Sequence, residues 1–157
     1  VLPTIRSRCV SFAIAPVSPA DCARYCTAHG VDKKTAALYS ELFDGHIGTV
    51  LTAARDKVRT EQVDKAMELA RAAQAGDSYT AAVLLAPYEK DKVGAAALLR
   101  DLRAVAAAGL QGSPHAPVQG QQAQRTLRLA EAAIQRLGAQ VNPKVVLSVF
   151  AAKLRTL

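Results

Sequence analysis

Aromatic residues and cysteines are scarce in this sequence. Aromatics make up 4% of its 157 residues, Trp is absent, and the four Tyr and three Phe form no cluster. A surface that stacks nucleic-acid bases on aromatic rings is therefore not indicated. Three cysteines are too few, and odd in number, for a disulfide framework. No complete set of metal ligands accompanies Cys22 and Cys26, so we expect two small buried thiols and no metal.

Long apolar runs and targeting segments are also missing. No run approaches the roughly 20 residues that a membrane-spanning helix needs, and no secretory signal is visible. We therefore expect a cytoplasmic protein that has no membrane partner. The chain does not begin with Met, which predicts a fragment of a longer protein.

Charges of one sign form no run, although the net charge is +7. Lys and Arg are spread along the chain with acids near most of them, a pattern typical of solvated helix faces. A basic balance still permits an anionic partner. A basic helical module that binds nucleic acid directly therefore stays open as an alternative.

Recognisable catalytic motifs are absent too. The sequence has no phosphate-binding Gly-rich loop, no zinc-protease His motif and no nucleophile elbow. His29, His46 and His115 are scattered over predicted loops and helix ends, and no acid pair suits general acid–base catalysis. A self-contained enzyme is not indicated.

Helix signals dominate what is present, beginning with three short helices within 16–59. Ser18-Pro19 is typical of a helix start, and this first helix should stop at Gly30. Asp32 is predicted to cap the second helix, which Asp44-Gly45 breaks. A third helix follows to about Lys57.

A larger helical unit is predicted over 60–157. Thr60 is expected to cap its first helix, and Pro87 should break a later one. Gly109–Gly120 has no periodicity and predicts a mobile loop that holds a solvated His115. Regular spacing then indicates a helix from Gln121 that Gly138 ends.

The last helix, which Asn142-Pro143 should cap, is apolar nearly all round. Such a helix lies either at the centre of the core or against another subunit, and the pattern alone does not choose between these.

Arg6-Ser7-Arg8-Cys9 stands before a β-like stretch, Val10–Ile14, at the start of the chain. Guanidinium groups suit a phosphate that arrives from outside, because they are permanently charged and forked. The alternative is an arginine that ties down a turn through a salt bridge, and composition alone favours that alternative.

The block Leu2–Cys9 resembles the stretch around the Ser-Arg-Cys motif of bacterial clamp-loader subunits, members of the AAA+ family. Leu42–Gly48 resembles the segment that opens the third lid helix of that family, and Leu137–Pro143 with the final helix resembles the end of its collar. The resemblance implies an all-α fold with a short strand left from an ATPase domain. It divides the chain into 1–15 (tail of the ATPase domain), 16–59 (three-helix lid) and 60–157 (helical collar, for oligomerisation).

Gly48 bears on the class of subunit. In the motor subunits (gamma/tau) a sensor arginine is expected three residues after the glycine that Gly45 matches, and Gly48 stands at that place. A glycine has no side chain for phosphate, so the resemblance favours the non-motor, delta-prime class. A motor ATPase of the same loader stays open as the alternative.

The resemblance also implies a mechanism and partners. Arg8 would be an arginine finger, supplied in trans to ATP that the neighbouring motor subunit binds, with Ser7 and Cys9 as its motif neighbours. No cofactor is implied for this chain itself. The collar would join gamma/tau and delta subunits in a ring of the DNA polymerase III holoenzyme. Through that ring the chain would act indirectly on the sliding clamp and on primer–template DNA during replication.

Overall fold

Eight α-helices account for most of the described chain, and the described residues contain no strand. The computed structural model describes Ala15 and residues 17–155. Ser7, Arg8, Cys9 and the predicted strand Val10–Ile14 lie outside the described residues. None of the described helices combines the length and the apolar character needed to cross a membrane.

The first three helices form the unit that the sequence predicts. Ser18 Oγ accepts a hydrogen bond from the Asp21 N–H at 3.1 Å, and the Asp32 carboxylate accepts from two N–H groups at the start of the second helix. Each of the three helices packs against the other two. Their bounds are α1 Pro19–Ala28, α2 Lys33–Leu42 and α3 Ile47–Arg55.

The start of the fourth helix corrects one prediction. Asp56, not Thr60, is the cap, because the Asp56 carboxylate accepts from the Val58 and Arg59 N–H groups at 2.9 and 3.4 Å. The Thr60 hydroxyl instead donates to the Ala53 and Asp56 carbonyls. The helix therefore begins before the expected boundary at 59/60.

Five helices follow the first three. Pro87 lies in a single 3-10 turn, Ala86–Tyr88, which ends the fifth helix as the sequence predicts. Asn142 caps the last helix through a 2.9 Å hydrogen bond from the Lys144 N–H. The bounds are α4 Lys57–Ala75, α5 Ser78–Leu85, α6 Lys92–Leu110, α7 Gly120–Gly138 and α8 Pro143–Leu154.

The last helix lies mainly in the core. It packs against α5 and α7, whereas Val145 on its outer side is 54% exposed. Of the two alternatives for this helix, the described structure therefore favours a place in the core of its own chain. Its buried residues are Val146, Leu147, Phe150, Ala151 and Leu154.

The segment between α6 and α7 is an irregular loop, as predicted, but it is packed against the helices. Ala116 and Val118 are buried in the same apolar cluster as the helices, and Ser113 is buried as well. His115 is exposed, which agrees with the expectation of a solvated histidine. The loop thus belongs to the core although its sequence shows no periodicity.

Candidate functional site

An open cavity of about 330 Å³ lies at the N-terminus of α3. The turn between α2 and α3 forms one side of it, and the chain that leads into α1 forms the other. This cavity contains the one predicted site position that falls among the described residues, Gly48. Its lining residues are Ala15, Val17, Gly45, His46, Ile47, Gly48 and Thr49.

Gly45 positions the incoming chain against this turn. Its φ of +72° is a left-handed conformation that favours glycine, and a Cβ atom there would fall 1.8 Å from the Val17 carbonyl oxygen. Only glycine therefore permits so close an approach of the two backbone segments. The residues just before α1 are seated beside the N-terminus of α3.

His46 precedes α3 without capping it through its side chain. The Nδ1–H group donates to the Phe43 carbonyl at 2.8 Å, which leaves Nε2 as the free ring nitrogen. The first backbone N–H groups of a helix lack partners within the helix. Three cavity residues, Ile47 to Thr49, belong to this first turn of α3, and the N-terminus of a helix favours negative charge.

Gly48, the second residue of α3, is exposed. A Cβ atom at this position would meet nothing within 4 Å, so the space would hold a side chain. Glycine leaves that space empty and supplies no side-chain group that could contact a phosphate.

A partly buried ion pair joins α4 to α6, and its arginine also contacts the turn after α2. The Arg59 guanidinium on α4 donates two hydrogen bonds to the Asp101 carboxylate on α6, with an Nη2–Oδ1 distance of 2.5 Å. The same guanidinium donates to Gln62 Oε1 and lies 5.6 Å from the centre of the Phe43 ring. The hydrogen bonds to Asp101 raise the pKa of Arg59 above its ordinary value. This pair has a structural role, because its two opposite charges neutralise each other inside the fold.

Cys22 and Cys26 are completely buried on α1, as the sequence predicts. Burial and then the neighbouring Cys22 thiol raise the pKa of Cys26 to about 11. A thiol with so high a pKa is a poor nucleophile at neutral pH. Within the described residues, no group of three or more His, Cys, Asp or Glu side chains is arranged to hold a metal ion.

Exposed apolar side chains occur on several helices, and three of them lie on α5 and α8, which pack together. Tyr79 and Val83 lie one turn apart on α5 and are 78% and 54% exposed. Val145 is exposed on α8, which packs against α5. These three residues are named the α5–α8 strip.

The basic residues are less evenly spread than the sequence interpretation held. Residues 17–119 contain twelve Lys and Arg and twelve Asp and Glu, whereas 120–155 contain six Lys and Arg and a single acid, Glu131. The excess charge of the described chain therefore lies on α7, α8 and the residues that flank α8. A charge count for each helix pair would have found it in the sequence.

The predicted arginine finger and its two neighbours, Arg8, Ser7 and Cys9, lie outside the described residues. The geometry therefore bears on the described residues that follow this block, Ala15 and Val17, and on Gly48. Comparison of the chain with protein-family models, curated proteins and solved structures found no match to any of them.

Proposed function

We propose that this chain is the lid and collar part of a non-motor, delta-prime-like subunit of a bacterial clamp loader. The observation that carries the proposal is the close contact between Gly45 and the segment that leads into α1. Val17 touches the turn that begins α3, and the empty sensor position Gly48 lines the same cavity. This arrangement supports the proposal, because it holds the segment that follows the Ser-Arg-Cys block beside the sensor position.

In this proposal Arg8 acts on a neighbour's nucleotide. Charge builds up on the γ-phosphate oxygens of ATP during transfer, and a positioned guanidinium stabilises that charge. Arg8 would reach ATP bound by the adjacent gamma/tau subunit, while Gly48 supplies no sensor to this subunit's own lid. Hydrolysis would then depend on correct assembly of the ring.

The collar would hold the ring together. Oligomer contacts are built from exposed apolar side chains that become buried on assembly. The α5–α8 strip offers Tyr79, Val83 and Val145 for a contact with gamma/tau or delta. The sliding clamp and primer–template DNA would be reached through the assembled loader.

The test is an Arg8→Ala substitution in the complete subunit, reconstituted with its motor and delta partners. We expect clamp- and DNA-dependent ATP hydrolysis to fall at least tenfold, since arginine fingers contribute on the order of 10³–10⁵ in rate. Arg6→Ala is the matched control, because it removes an equal charge two residues away. Equal hydrolysis in the wild type and in Arg8→Ala would overturn the proposal.

A measurement of ATP binding distinguishes the motor alternative from the proposed non-motor subunit. A motor subunit binds ATP on its own, whereas the proposed subunit does not. Tight ATP binding and turnover by the isolated complete subunit would therefore favour the gamma/tau class. The open space at Gly48 supports the non-motor class, because no side chain there can sense a phosphate.

A further inference from the structure

Four basic residues lie near one another where the first half of α7 packs beside the end of α8. The Arg125 guanidinium donates to the Lys153 carbonyl at 2.8 Å and to the Arg155 carbonyl at 3.1 Å. Arg128 lies one turn after Arg125 on α7, and residues three apart on a helix are surface neighbours. These four residues, Arg125, Arg128, Lys153 and Arg155, are named the α7–α8 basic cluster.

No acid neutralises this cluster within the described residues. Glu131, the one acid of 120–155, stands three residues after Arg128 on α7, but it forms no salt bridge there and lines a cleft of about 300 Å³ that α2, α6 and α7 form. Lys144, at the other end of α8, is paired with Glu89 at 3.5 Å and so does not belong to the cluster. Four of the six cations of 120–155 therefore belong to the cluster, while Arg136 lies near the opposite end of α7.

Three of the four cations are free to meet a partner. Arg128, Lys153 and Arg155 are exposed, while the half-buried Arg125 guanidinium is engaged with the last carbonyls of α8. Gln121 and Gln124 are exposed one turn before Arg125 and Arg128, and they add amide donors to the same part of α7. Guanidinium, ammonium and amide groups together are the donors that contact phosphate oxygens in nucleic-acid complexes.

The surface lacks what single-stranded nucleic acid requires. Between residues 120 and 155 the one aromatic side chain is Phe150, and it is 2% exposed. Proteins that bind single strands combine a basic groove with aromatic side chains on which the bases stack, whereas phosphate contacts alone support non-specific binding to a duplex. The chemistry therefore fits a duplex.

We infer that the α7–α8 basic cluster binds the phosphate backbone of double-stranded nucleic acid without reading its sequence. The charges of 120–155 carry this inference, and it does not depend on the proposed role of Arg8. The binding surface belongs to this chain and needs no neighbouring subunit, so the chain alone is the right material for the test.

The experiment measures the affinity of the 157-residue chain for a labelled 20-base-pair DNA duplex over a salt series. We expect affinity to fall steeply with salt, with a slope of log K against log salt of about −0.9 for each phosphate contact. The substitutions Arg128→Gln, Lys153→Gln and Arg155→Gln, made together, should weaken binding at least tenfold and flatten that slope. Arg125 is left in place because it supports the end of α8.

A matched triple variant controls for net charge. Lys33→Gln, Lys34→Gln and Lys57→Gln remove the same charge from exposed positions on α2 and α4, and binding should stay within about twofold of the wild type. Equal losses in both triple variants would overturn the inference. So would salt-independent binding, tighter binding to a single strand of the same length, or equal binding to polyglutamate, which would indicate an acidic protein partner. The affinity for an RNA duplex of the same length, measured in parallel, shows whether the surface prefers duplex DNA or duplex RNA.

Discussion

Three glycines of this chain differ in what a side chain would meet. A Cβ atom at Gly45 would strike the Val17 carbonyl, and one at Gly109 would lie 1.9 Å from the Val118 carbonyl. At Gly48 the same atom would meet nothing. In the sequence all three stand near predicted helix ends, so only tertiary contacts distinguish them. Backbone packing requires glycine at positions 45 and 109, whereas position 48 has space for a side chain.

Gly48→Ala should therefore stabilise the chain. Glycine inside a helix costs roughly 0.5–1 kcal/mol relative to alanine, and no contact at this position opposes the change. Urea unfolding followed by helical circular dichroism would measure the gain. Gly109→Ala is the matched control and should lose about 1–3 kcal/mol, because the loop at Val118 must move. A destabilised Gly48→Ala would show that this position is packed after all.

At the scale of the helix, local signals predicted most boundaries and failed at one. Asp32 and Asn142 cap helices as predicted, because a cap depends on residues two or three positions away. The prediction that Thr60 caps α4 was wrong because Asp56 alone separates α3 from α4, and no glycine or proline marks this junction. The cap at Asp56, one turn before Thr60, stands in a stretch of sequence that reads as one continuous helix.

The Asp32 cap predicts how the stability of α2 responds to acid. Hydrogen bonds from the Thr35 and Lys34 N–H groups hold the pKa of Asp32 below its ordinary value. The cap is therefore fully effective above the unfolded pKa of about 3.9 and is lost as the pH falls through the lower folded pKa. Asp32→Asn keeps the acceptor but cannot titrate.

A urea series from pH 7 to pH 2 tests this prediction. Asp32→Asn should match the wild type at pH 7 and lose less stability in acid, whereas Asp32→Ala should be less stable already at pH 7. Parallel pH profiles for the wild type and Asp32→Asn would contradict the role of the charged cap.

Distant contacts explain what the sequence did not predict in the loop and the candidate site. The Ser113 hydroxyl donates to the Glu41 carboxylate, 72 residues away, and the Gln119 N–H donates to Gln74 Oε1 at 2.9 Å. Such partners lie on other helices, so no local pattern reveals them. Gly48 could be located because it stands in a short motif, whereas Arg59 and Asp101 are 42 residues apart. The α7–α8 basic cluster was present in the sequence, but the average over the whole chain concealed it.

At the scale of the whole molecule, the two groups of helices share one core. Buried side chains form a continuous cluster from Cys22 on α1 to Leu154 on α8. Arg59 contacts both sides of the junction, since its guanidinium meets Phe43 after α2 and Asp101 on α6. The two groups of helices would thus unfold together in this chain, with the contact between Arg59 and the Phe43 ring as one link between them.

The coupling free energy of the ion pair between α4 and α6 can be measured with a double-mutant cycle on Arg59 and Asp101. Removing one partner leaves the other charge or its hydrogen bonds unsatisfied, because the two side chains are only 26% and 8% exposed. Arg59→Met and Asp101→Asn should each lower the free energy of unfolding by about 2–3 kcal/mol, and the double variant should lose less than the sum of both.

Urea unfolding of the four proteins gives the coupling energy, which we expect at about 1–3 kcal/mol. Arg24→Met is the control, since the Arg24–Asp21 pair is 81% and 54% exposed on α1, and it should change stability by no more than about 0.5 kcal/mol. Additive losses at Arg59 and Asp101 would mean that the ion pair does not couple α4 to α6. In that case apolar packing alone would hold these two helices together, and both single variants would still unfold in one step.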